Sequence, residues 1–202
     1  MIGIIDYGKG NLRSVENALK KLGIPCLISS DASVLNDCNK LILPGVGAFR
    51  DCMEEIQNRG LFEPVREMTE KGKPLLGICL GMQMLYEESE ENGYTEGFGF
   101  LQGKIRLMQT DLPVPQIGWN DLEWQTDHPL KKILPEHACM YYVHSYCASD
   151  ILDEECPAYS WYGEVKVPGL VQKGNVMGCQ FHPEKSSDDG LKILKYFAEE
   201  FR

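Results

Sequence analysis

The stretch PLLGICLGMQML at residues 74–85 decides the fold that this sequence predicts. Residues 74–78 form a short, continuous aliphatic run, which is typical of a strand buried on both faces of a parallel sheet. Apolar side chains then recur at helical spacing, so we expect a helix from the corner at Cys79 to about Glu90. The stretch therefore predicts a strand, a sharp corner and a helix in immediate succession.

Cys79, at that corner, has two interpretations. Gly77 and Gly81 flank it at two-residue spacing, which is the layout of the G-x-S-x-G nucleophile elbow with sulfur in place of the hydroxyl. The following helix N-terminus and its free N–H groups favour a thiolate there. The alternative is a buried structural cysteine, which composition alone favours because free cysteine is among the most buried residue types.

The order of predicted elements favours one architecture. Strands and helices alternate in the first half, as in right-handed parallel crossovers, whereas short strands between Gly- and Pro-rich segments follow Glu91. We predict an α/β fold with a doubly wound, mostly parallel sheet flanked by helices and a smaller antiparallel β layer inserted in the second half. The length of 202 residues fits one domain over 1–202. The strands are expected at 1–5, 25–29, 40–43, 74–78, 104–108, 121–124, 138–148, 158–162, 164–167, 170–173 and 175–181.

Composition excludes several classes of function. The formal net charge is −10 and Lys and Arg form no cluster, which argues against a nucleic acid partner because phosphate neutralisation needs a basic face. No apolar run approaches the ~20 residues of a transmembrane helix. Residues 1–5 have the pattern of a strand and show none of the features of a signal peptide. We therefore expect a cytoplasmic protein that binds neither nucleic acid nor membrane.

No metal and no cofactor are predicted. The 8 cysteines are widely spread and form no C-x-x-C pair, which disfavours zinc and dithiol redox sites and favours free thiols in a reducing compartment. The turn GKG at 8–10 could be half of a dinucleotide fingerprint, but the third glycine is absent. A loop at a partner or substrate surface is the better interpretation of that turn.

The segment QFHPE at 180–184 supplies candidate partners for the cysteine. On an extended backbone His182 and Glu184 point to the same face, so the carboxylate can hold one imidazole nitrogen while the other faces a nucleophile. Taken alone, His182 is better explained as a surface histidine near a loop, and Glu184 as a solvated charge. Together with the Cys79 elbow in a doubly wound chain they favour catalysis. His144 is a rival base, but no carboxylate lies two residues away, and we expect it to be structural.

The segment PGVG at 44–47 follows a predicted buried strand. Its glycines leave the backbone free to point N–H groups outward, as half of an oxyanion hole requires. An ordinary strand-to-helix turn is the alternative.

Six segments together resemble the class I, or triad, glutamine amidotransferases over essentially the whole length. Within that family the chain is most similar to the glutaminase subunits of imidazole glycerol phosphate synthase. Many members of the class carry His three residues after the cysteine, and Met82 at that position is tolerated in the synthase branch. The segments are DYGKGNLRS (6–14), PGVGAF (44–49), GICLGMQML (77–85), IGWN (117–120), YVHSY (142–146) and QFHPEKS (180–186).

The resemblance implies the roles of the site residues. Cys79 would be the nucleophile, His182 the base and Glu184 the orienting carboxylate. The implied oxyanion donors are the backbone of Leu80 and of Val46 or Gly47. Glutamine would bind Gln83 and the backbone at Ser145 and Tyr146.

The resemblance also implies a partner and a pathway. Such a chain hydrolyses L-glutamine and passes ammonia to a barrel-shaped cyclase subunit in a heterodimer, which makes imidazole glycerol phosphate in histidine biosynthesis. Two alternatives stay open: a glutaminase for another synthase, chorismate-using or pyridoxal-phosphate-forming, and a non-catalytic binding relative of the fold. The candidate partner-contact residues are Asn11, Arg13, Trp119, Asn120 and Lys185.

Overall fold

A computed structural model describes all residues from 1 to 202. The strands, in chain order, are β1 Ile2–Ile5, β2 Cys26–Ser29, β3 Lys40–Gly45, β4 Leu75–Cys79, β5 Tyr86–Ser89, β6 Thr95–Glu96, β7 Leu101–Leu107, β8 Gln116–Asp121, β9 Glu123–Trp124, β10 Cys139–His144, β11 Tyr146–Ser149, β12 Ala158–Tyr162, β13 Val165–Lys173 and β14 Val176–Cys179. The α-helices are α1 Leu12–Lys21, α2 Ala32–Asn36, α3 Phe49–Asn58, α4 Phe62–Glu70, α5 Leu80–Gln83 and α6 Ser187–Glu199.

The largest sheet has eight strands in the order β2-β1-β3-β4-β14-β13-β12-β9. The strands from β2 to β14 run parallel, and β13, β12 and β9 extend the same sheet in antiparallel fashion. A four-stranded sheet, β11-β7-β5-β6, and a pair, β10-β8, form the smaller layers. The predicted fold class is confirmed: a doubly wound, mostly parallel sheet flanked by helices, with a smaller antiparallel layer.

Alternate residues of the parallel strands supply two separate apolar cores. Ile42, Leu76 and Ile78 belong to a cluster of 28 buried residues, whereas Leu43 and Leu75 belong to a second cluster of 26. Burial on both faces explains why these strands read as unbroken aliphatic runs. None of the helices combines the length and the apolar character that a membrane crossing requires.

The helix predicted to run from the elbow to about Glu90 is wrong beyond its first turn. α5 ends at Gln83, and the chain returns at Tyr86–Ser89 as β5, which pairs with β6 and β7. The apolar spacing reflects burial in the second core, where the Leu85 carbonyl accepts a hydrogen bond from the Phe100 N–H at 2.9 Å. Pairing with a later segment thus overrides the local period.

The strand predicted at 138–148 is two strands in different sheets. β10 pairs with β8, whereas β11 pairs with β7. Ser145 separates them, and its carbonyl oxygen accepts a hydrogen bond from the Met108 N–H at 3.0 Å. The break matters because it brings Ser145 to the edge where the candidate site lies.

The strands predicted at 164–167 and 170–173 are one continuous strand, β13, with a bulge at Pro168 and Gly169 in place of a turn. Tyr159 pairs with Pro168 and Ala158 pairs with Leu170, so Gly169 is the extra residue. Proline donates no ladder hydrogen bond and glycine packs little, and both residue types are therefore found at bulges.

Candidate active site

Cys79 ends β4 and caps the single turn of α5. Its φ is +54° and its ψ is −111°, a backbone conformation that L side chains rarely adopt. Such a conformation costs about 1–3 kcal/mol and is typical of functional sites. The predicted corner is present, and the strained backbone conformation is that of Cys79 itself.

The flanking glycines serve close packing rather than backbone bending, because neither has a positive φ. A Cβ on Gly81 would overlap the Leu43 carbonyl oxygen, and a Cβ on Gly77 would lie 2.6 Å from the Gly81 carbonyl oxygen. Gly45 is equally tight, since a Cβ there would overlap the Gly81 nitrogen. Because α5 has only four residues, support for a thiolate comes from the N–H groups of one turn and not from a long helix dipole.

His182 follows β14 and lines the same cavity as Cys79. Its Nδ1 lies 2.9 Å from Oε1 of Glu184, and the two side chains are 2% and 0% exposed. Nε2 of His182 is buried and makes no hydrogen bond. Glu184 lies in a 3-10 turn at Pro183–Lys185, so a tight turn, and not the extended backbone expected from the spacing, joins the two side chains.

Two opposing effects set the protonation of His182. Burial lowers its pKa by removing water from the imidazolium, whereas the Cys79 sulfur and the Glu184 carboxylate beside the ring raise its pKa. The two neighbours outweigh burial, and the pKa of His182 lies above its ordinary value. This histidine is therefore suited to hold a proton next to the sulfur at neutral pH.

A cavity of about 340 Å³ joins the elbow to His182. Its volume is at the lower end of the range of ligand pockets, about 300–1,000 Å³, and fits a small metabolite. The structure contains no group of three or more His, Cys, Asp or Glu side chains placed to hold a metal ion. The sequence-predicted residues that line the cavity are Cys79, His182, Leu80, Val46, Gly47, Gln83, Ser145 and Tyr146.

The two backbone segments predicted to donate to an oxyanion lie next to each other, because Gly45 of β3 pairs with Cys79 of β4. Leu80 opens α5, and its N–H has no partner within the helix. Gly47 has a φ of +103°, which favours glycine, and a Cβ there would meet nothing within 4 Å. Val46 is 41% exposed. This segment therefore has room to reorient its N–H groups.

Gln83 supports the wall of the cavity. Its Nε2 donates to the Tyr146 carbonyl oxygen at 2.8 Å and to Oε1 of Gln180 at 3.0 Å. Both amide hydrogens therefore have partners inside the protein, and only its carbonyl oxygen is left for a ligand. The contact fixes the backbone just after Ser145, which the broken β10–β11 strand brings to the cavity.

The predicted partner-contact residues fall into separate groups. Trp119 is 51% exposed, and its ring centroid lies 5.8 Å from that of Tyr141, over which Lys185 Nζ lies at 6.0 Å. These three side chains form one aromatic and cationic patch. Asn11 and Arg13 instead line a different groove at the start of α1.

Both polar atoms of the Asn120 side chain have hydrogen-bond partners within the protein. Its Oδ1 accepts from Gln116 Nε2 at 2.8 Å, and its Nδ2 donates to the Trp161 carbonyl oxygen at 3.0 Å. These contacts tie β8 to β12, which gives the amide a structural role in this chain.

Sequence reasoning missed Glu91 and Gln180 and expected only a structural role for His144. Glu91 lines the cavity while its Oε2 accepts a hydrogen bond from the Phe49 N–H at 2.7 Å, and nothing distinguishes it within the acidic run 87–91. His144, expected to be structural, also lines the cavity. Gln180 is fully buried, and its Nε2 lies 3.9 Å from Cys79 Sγ. No local periodicity could have identified Glu91 or Gln180.

Comparison with known proteins supplies the family. The model of the family "Glutamine amidotransferase class-I" matches residues 3–201. The chain is 46% identical over 202 residues to the imidazole glycerol phosphate synthase subunit HisH of Oceanobacillus iheyensis, with 100% of both chains covered. It is 49% identical over 197 residues to the subunit of the same name from Bacillus cereus, covering 98% of this chain and 93% of the relative.

Solved structures agree on the fold. A crystal structure of a glutamine amidotransferase superposes with a TM-score of 0.77 at 24% identity, covering 97% of this chain and 96% of the other. PurLQS from Thermotoga maritima gives a TM-score of 0.73 at 20% identity, with coverage of 97% and 96%. The chain belongs to the class-I glutamine amidotransferase family.

Proposed function

We propose that this chain is the glutaminase subunit of an imidazole glycerol phosphate synthase and acts in histidine biosynthesis. Relatives that carry this name are 46% and 49% identical to the chain over 202 and 197 residues, and this similarity supports the assignment. The observation that carries the chemistry is one cavity that joins a strained cysteine to a histidine paired with a buried glutamate. We assign residues 1–202 to a single glutaminase domain.

The first half-reaction begins with the Cys79 thiolate, which attacks the side-chain amide carbon of L-glutamine. The developing oxyanion is stabilised by the N–H groups of Leu80 and of the Val46–Gly47 segment. Protonated His182, oriented by Glu184, gives its proton to the amide nitrogen as the carbon–nitrogen bond breaks. Ammonia leaves, and a γ-glutamyl thioester remains on the sulfur.

The second half-reaction uses the histidine that has just lost its proton. Neutral His182 takes a proton from water, whose oxygen attacks the thioester carbon. The carbon–sulfur bond breaks, glutamate leaves, and the thiolate and imidazolium are restored. The raised pKa of His182 supports this cycle, because the resting site then holds the proton that the leaving ammonia needs.

Substrate orientation follows from the charges at the cavity wall. The Glu91 carboxylate is suited to the α-ammonium of glutamine, and the backbone at Ser145 and Tyr146 offers partners for the polar end of the substrate. Gln83 contributes its free carbonyl oxygen and the support of that backbone.

We further propose a cyclase subunit as the partner in a cytoplasmic heterodimer. The patch of Trp119, Tyr141 and Lys185 supports a docking role, since exposed aromatic and cationic side chains are frequent hot spots of interfaces. Ile117, 63% exposed, extends the same strand surface. The free thiols of all eight cysteines are in keeping with a reducing compartment.

The test is glutamate release from L-glutamine, measured with and without the cyclase subunit. Cys79→Ala should abolish turnover and prevent covalent labelling by a glutamine-mimicking electrophile. Cys147→Ala is the matched control, because Cys147 is also buried but lines a different cavity. Substantial turnover by Cys79→Ala would refute the mechanism. We expect the cyclase to raise turnover, because docking can align the N–H groups of the Val46–Gly47 segment, which has room to reorient. Equal turnover with and without the cyclase would refute this activation.

A further inference from the structure

Gln180 lies against the sulfur atom of Cys79 without a role in the mechanism described so far. Its side chain is fully buried, and its Nε2 lies 3.9 Å from Cys79 Sγ, within the range of hydrogen bonds to sulfur. Burying an amide is costly unless its groups are hydrogen-bonded. The partner of each amide atom therefore decides what Gln180 does.

The orientation of the Gln180 amide is fixed by its neighbours. Gln83 Nε2 can only donate, and it donates to the Tyr146 carbonyl oxygen at 2.8 Å and to Gln180 Oε1 at 3.0 Å. Because the Gln180 oxygen is held by this donor, the NH₂ group of the same amide must point to the sulfur. A flipped amide would set two donors against each other.

The sulfur also has a hydrogen-bond acceptor within reach. The Val143 carbonyl oxygen is 3.8 Å from Cys79 Sγ and can accept the hydrogen of the thiol. A thiolate has no hydrogen to offer and is repelled by a carbonyl oxygen, but it accepts from an N–H group. These two hydrogen-bond contacts thus suit the two protonation states of the sulfur in turn, and they act beside the His182 ring, whose charge also faces the sulfur.

We propose that Gln180 is a further residue of the catalytic centre, which stabilises the Cys79 thiolate by an N–H···S hydrogen bond. Gln83 is a positioning residue in this arrangement, because it holds the Gln180 amide in the donating orientation. The inference rests on the proposed function only in taking Cys79 as the reactive nucleophile. It assigns the two glutamines a function in nucleophile activation that requires no substrate and no partner.

The experiment measures the rate at which iodoacetamide alkylates Cys79 between pH 6 and pH 10, followed by mass spectrometry of the peptide that contains it. A hydrogen bond to a charged group is worth enough to change a population about tenfold or more. Gln180→Met should therefore react about tenfold more slowly at pH 7. The ratio of the two rates should fall toward one at the high end of this range, since the hydrogen bond gives no advantage once hydroxide has removed the thiol proton in both proteins; His182, which also faces the sulfur, is common to the two profiles.

Further variants separate this function from a merely structural one. Gln172→Met is the matched control, since the Gln172 side chain also makes a hydrogen bond, to His128 Nε2 at 2.6 Å, but makes none to Cys79, and its alkylation profile should be unchanged. Gln83→Met should slow alkylation at pH 7 by a smaller factor. The double variant should react no more slowly than Gln180→Met, because Gln83 acts through Gln180.

Two outcomes would overturn the inference. One is a Gln180→Met profile that coincides with the original profile. The other is a rate that differs by the same factor at every pH, which would indicate altered access to the cavity. Alkylation needs neither glutamine nor the cyclase, so these results are distinguishable from a failure of the proposed glutaminase function.

Discussion

Two walls of one cavity each carry a buried histidine with the same local geometry. Beyond β14, His182 pairs its Nδ1 with the Glu184 carboxylate at 2.9 Å. At the end of β10, His144 pairs its Nδ1 with the Tyr146 carbonyl oxygen, also at 2.9 Å. In both rings Nε2 is buried and makes no hydrogen bond. Only the Nδ1 partner and the nearby charges differ.

That difference gives the two rings opposite protonation. Burial, helped by the charge of His182, lowers the pKa of His144 to about 4, and the hydrogen bond to the Tyr146 carbonyl offsets only part of the effect. For His182 the Cys79 sulfur and the Glu184 carboxylate outweigh burial and raise the pKa. A full negative charge compensates a buried imidazolium, whereas a carbonyl dipole does not. One wall is therefore fit for proton transfer and the other stays neutral.

Removing the charge of the carboxylate should produce the largest effect. In Glu184→Gln the amide cannot compensate a protonated His182, and it no longer selects the required tautomer. We expect the rate of glutamate release in the complex with the cyclase to fall by about 10³-fold or more, by analogy with triads whose orienting carboxylate is replaced by an amide. Glu67→Gln, at an exposed position of α4, is the control and should keep its activity. A loss smaller than tenfold would mean that His182 does not depend on this charge.

The neutral state of the buried His144 ring should affect how the free energy of unfolding depends on pH. Folded His144 takes up a proton only near pH 4, whereas the unfolded chain takes it up near pH 6.5. Between these values the unfolded state binds more protons, so the free energy of unfolding decreases as the pH falls, by up to about 3 kcal/mol. His144→Asn keeps a donor for the Tyr146 carbonyl but does not titrate in this range. The variant should therefore lack this decrease in the free energy of unfolding.

Urea denaturation at pH 7 and pH 4 checks the prediction through the difference between the two proteins. Contributions from other titrating groups, such as His128, are common to both and cancel. The original protein should lose about 3 kcal/mol more than His144→Asn over this range. Parallel pH profiles would show that the folded protein accommodates a charged His144.

The smallest effect is expected from the support shared by the two walls. The Tyr146 carbonyl oxygen accepts hydrogen bonds from both His144 Nδ1 and Gln83 Nε2. In the Gln83→Met variant only the hydrogen bond from His144 remains. We expect a loss of about 1–2 kcal/mol in the free energy of unfolding at pH 7, mainly from the buried oxygen of Gln180 left without a donor. A Gln83→Met protein as stable as the original would mean that water replaces the lost donor.

Combining Gln83→Met with His144→Leu sharpens the same point. The Tyr146 carbonyl then loses both donors, and the double variant should be less stable than the sum of the single losses predicts. Strict additivity in urea denaturation would indicate that the two side chains support the wall independently.

The elbow and the strand at its start were accessible to sequence reasoning because their signals are local. An aliphatic run bounded by glycines predicts a buried parallel strand wherever it occurs, and the Cys79 corner follows within the same stretch. The closeness of His182 and Glu184 was predictable for a similar reason, since a single residue of chain separates them. The predicted geometry was wrong in detail, as a 3-10 turn joins them.

The tertiary structure alone decided what surrounds these residues. Pairing between distant segments determines three features: the return of Tyr86–Ser89 as a strand, the break at Ser145, and the approach of Glu91 to the cavity and of Gln180 to Cys79. The charges on the two histidines are decided in the same way, because desolvation and the partners of a buried ring come from the whole fold. Local sequence determined the buried strand, the corner at Cys79 and the closeness of His182 to Glu184, whereas burial and long-range pairing decided the course of the chain beyond the corner and the environment of the site.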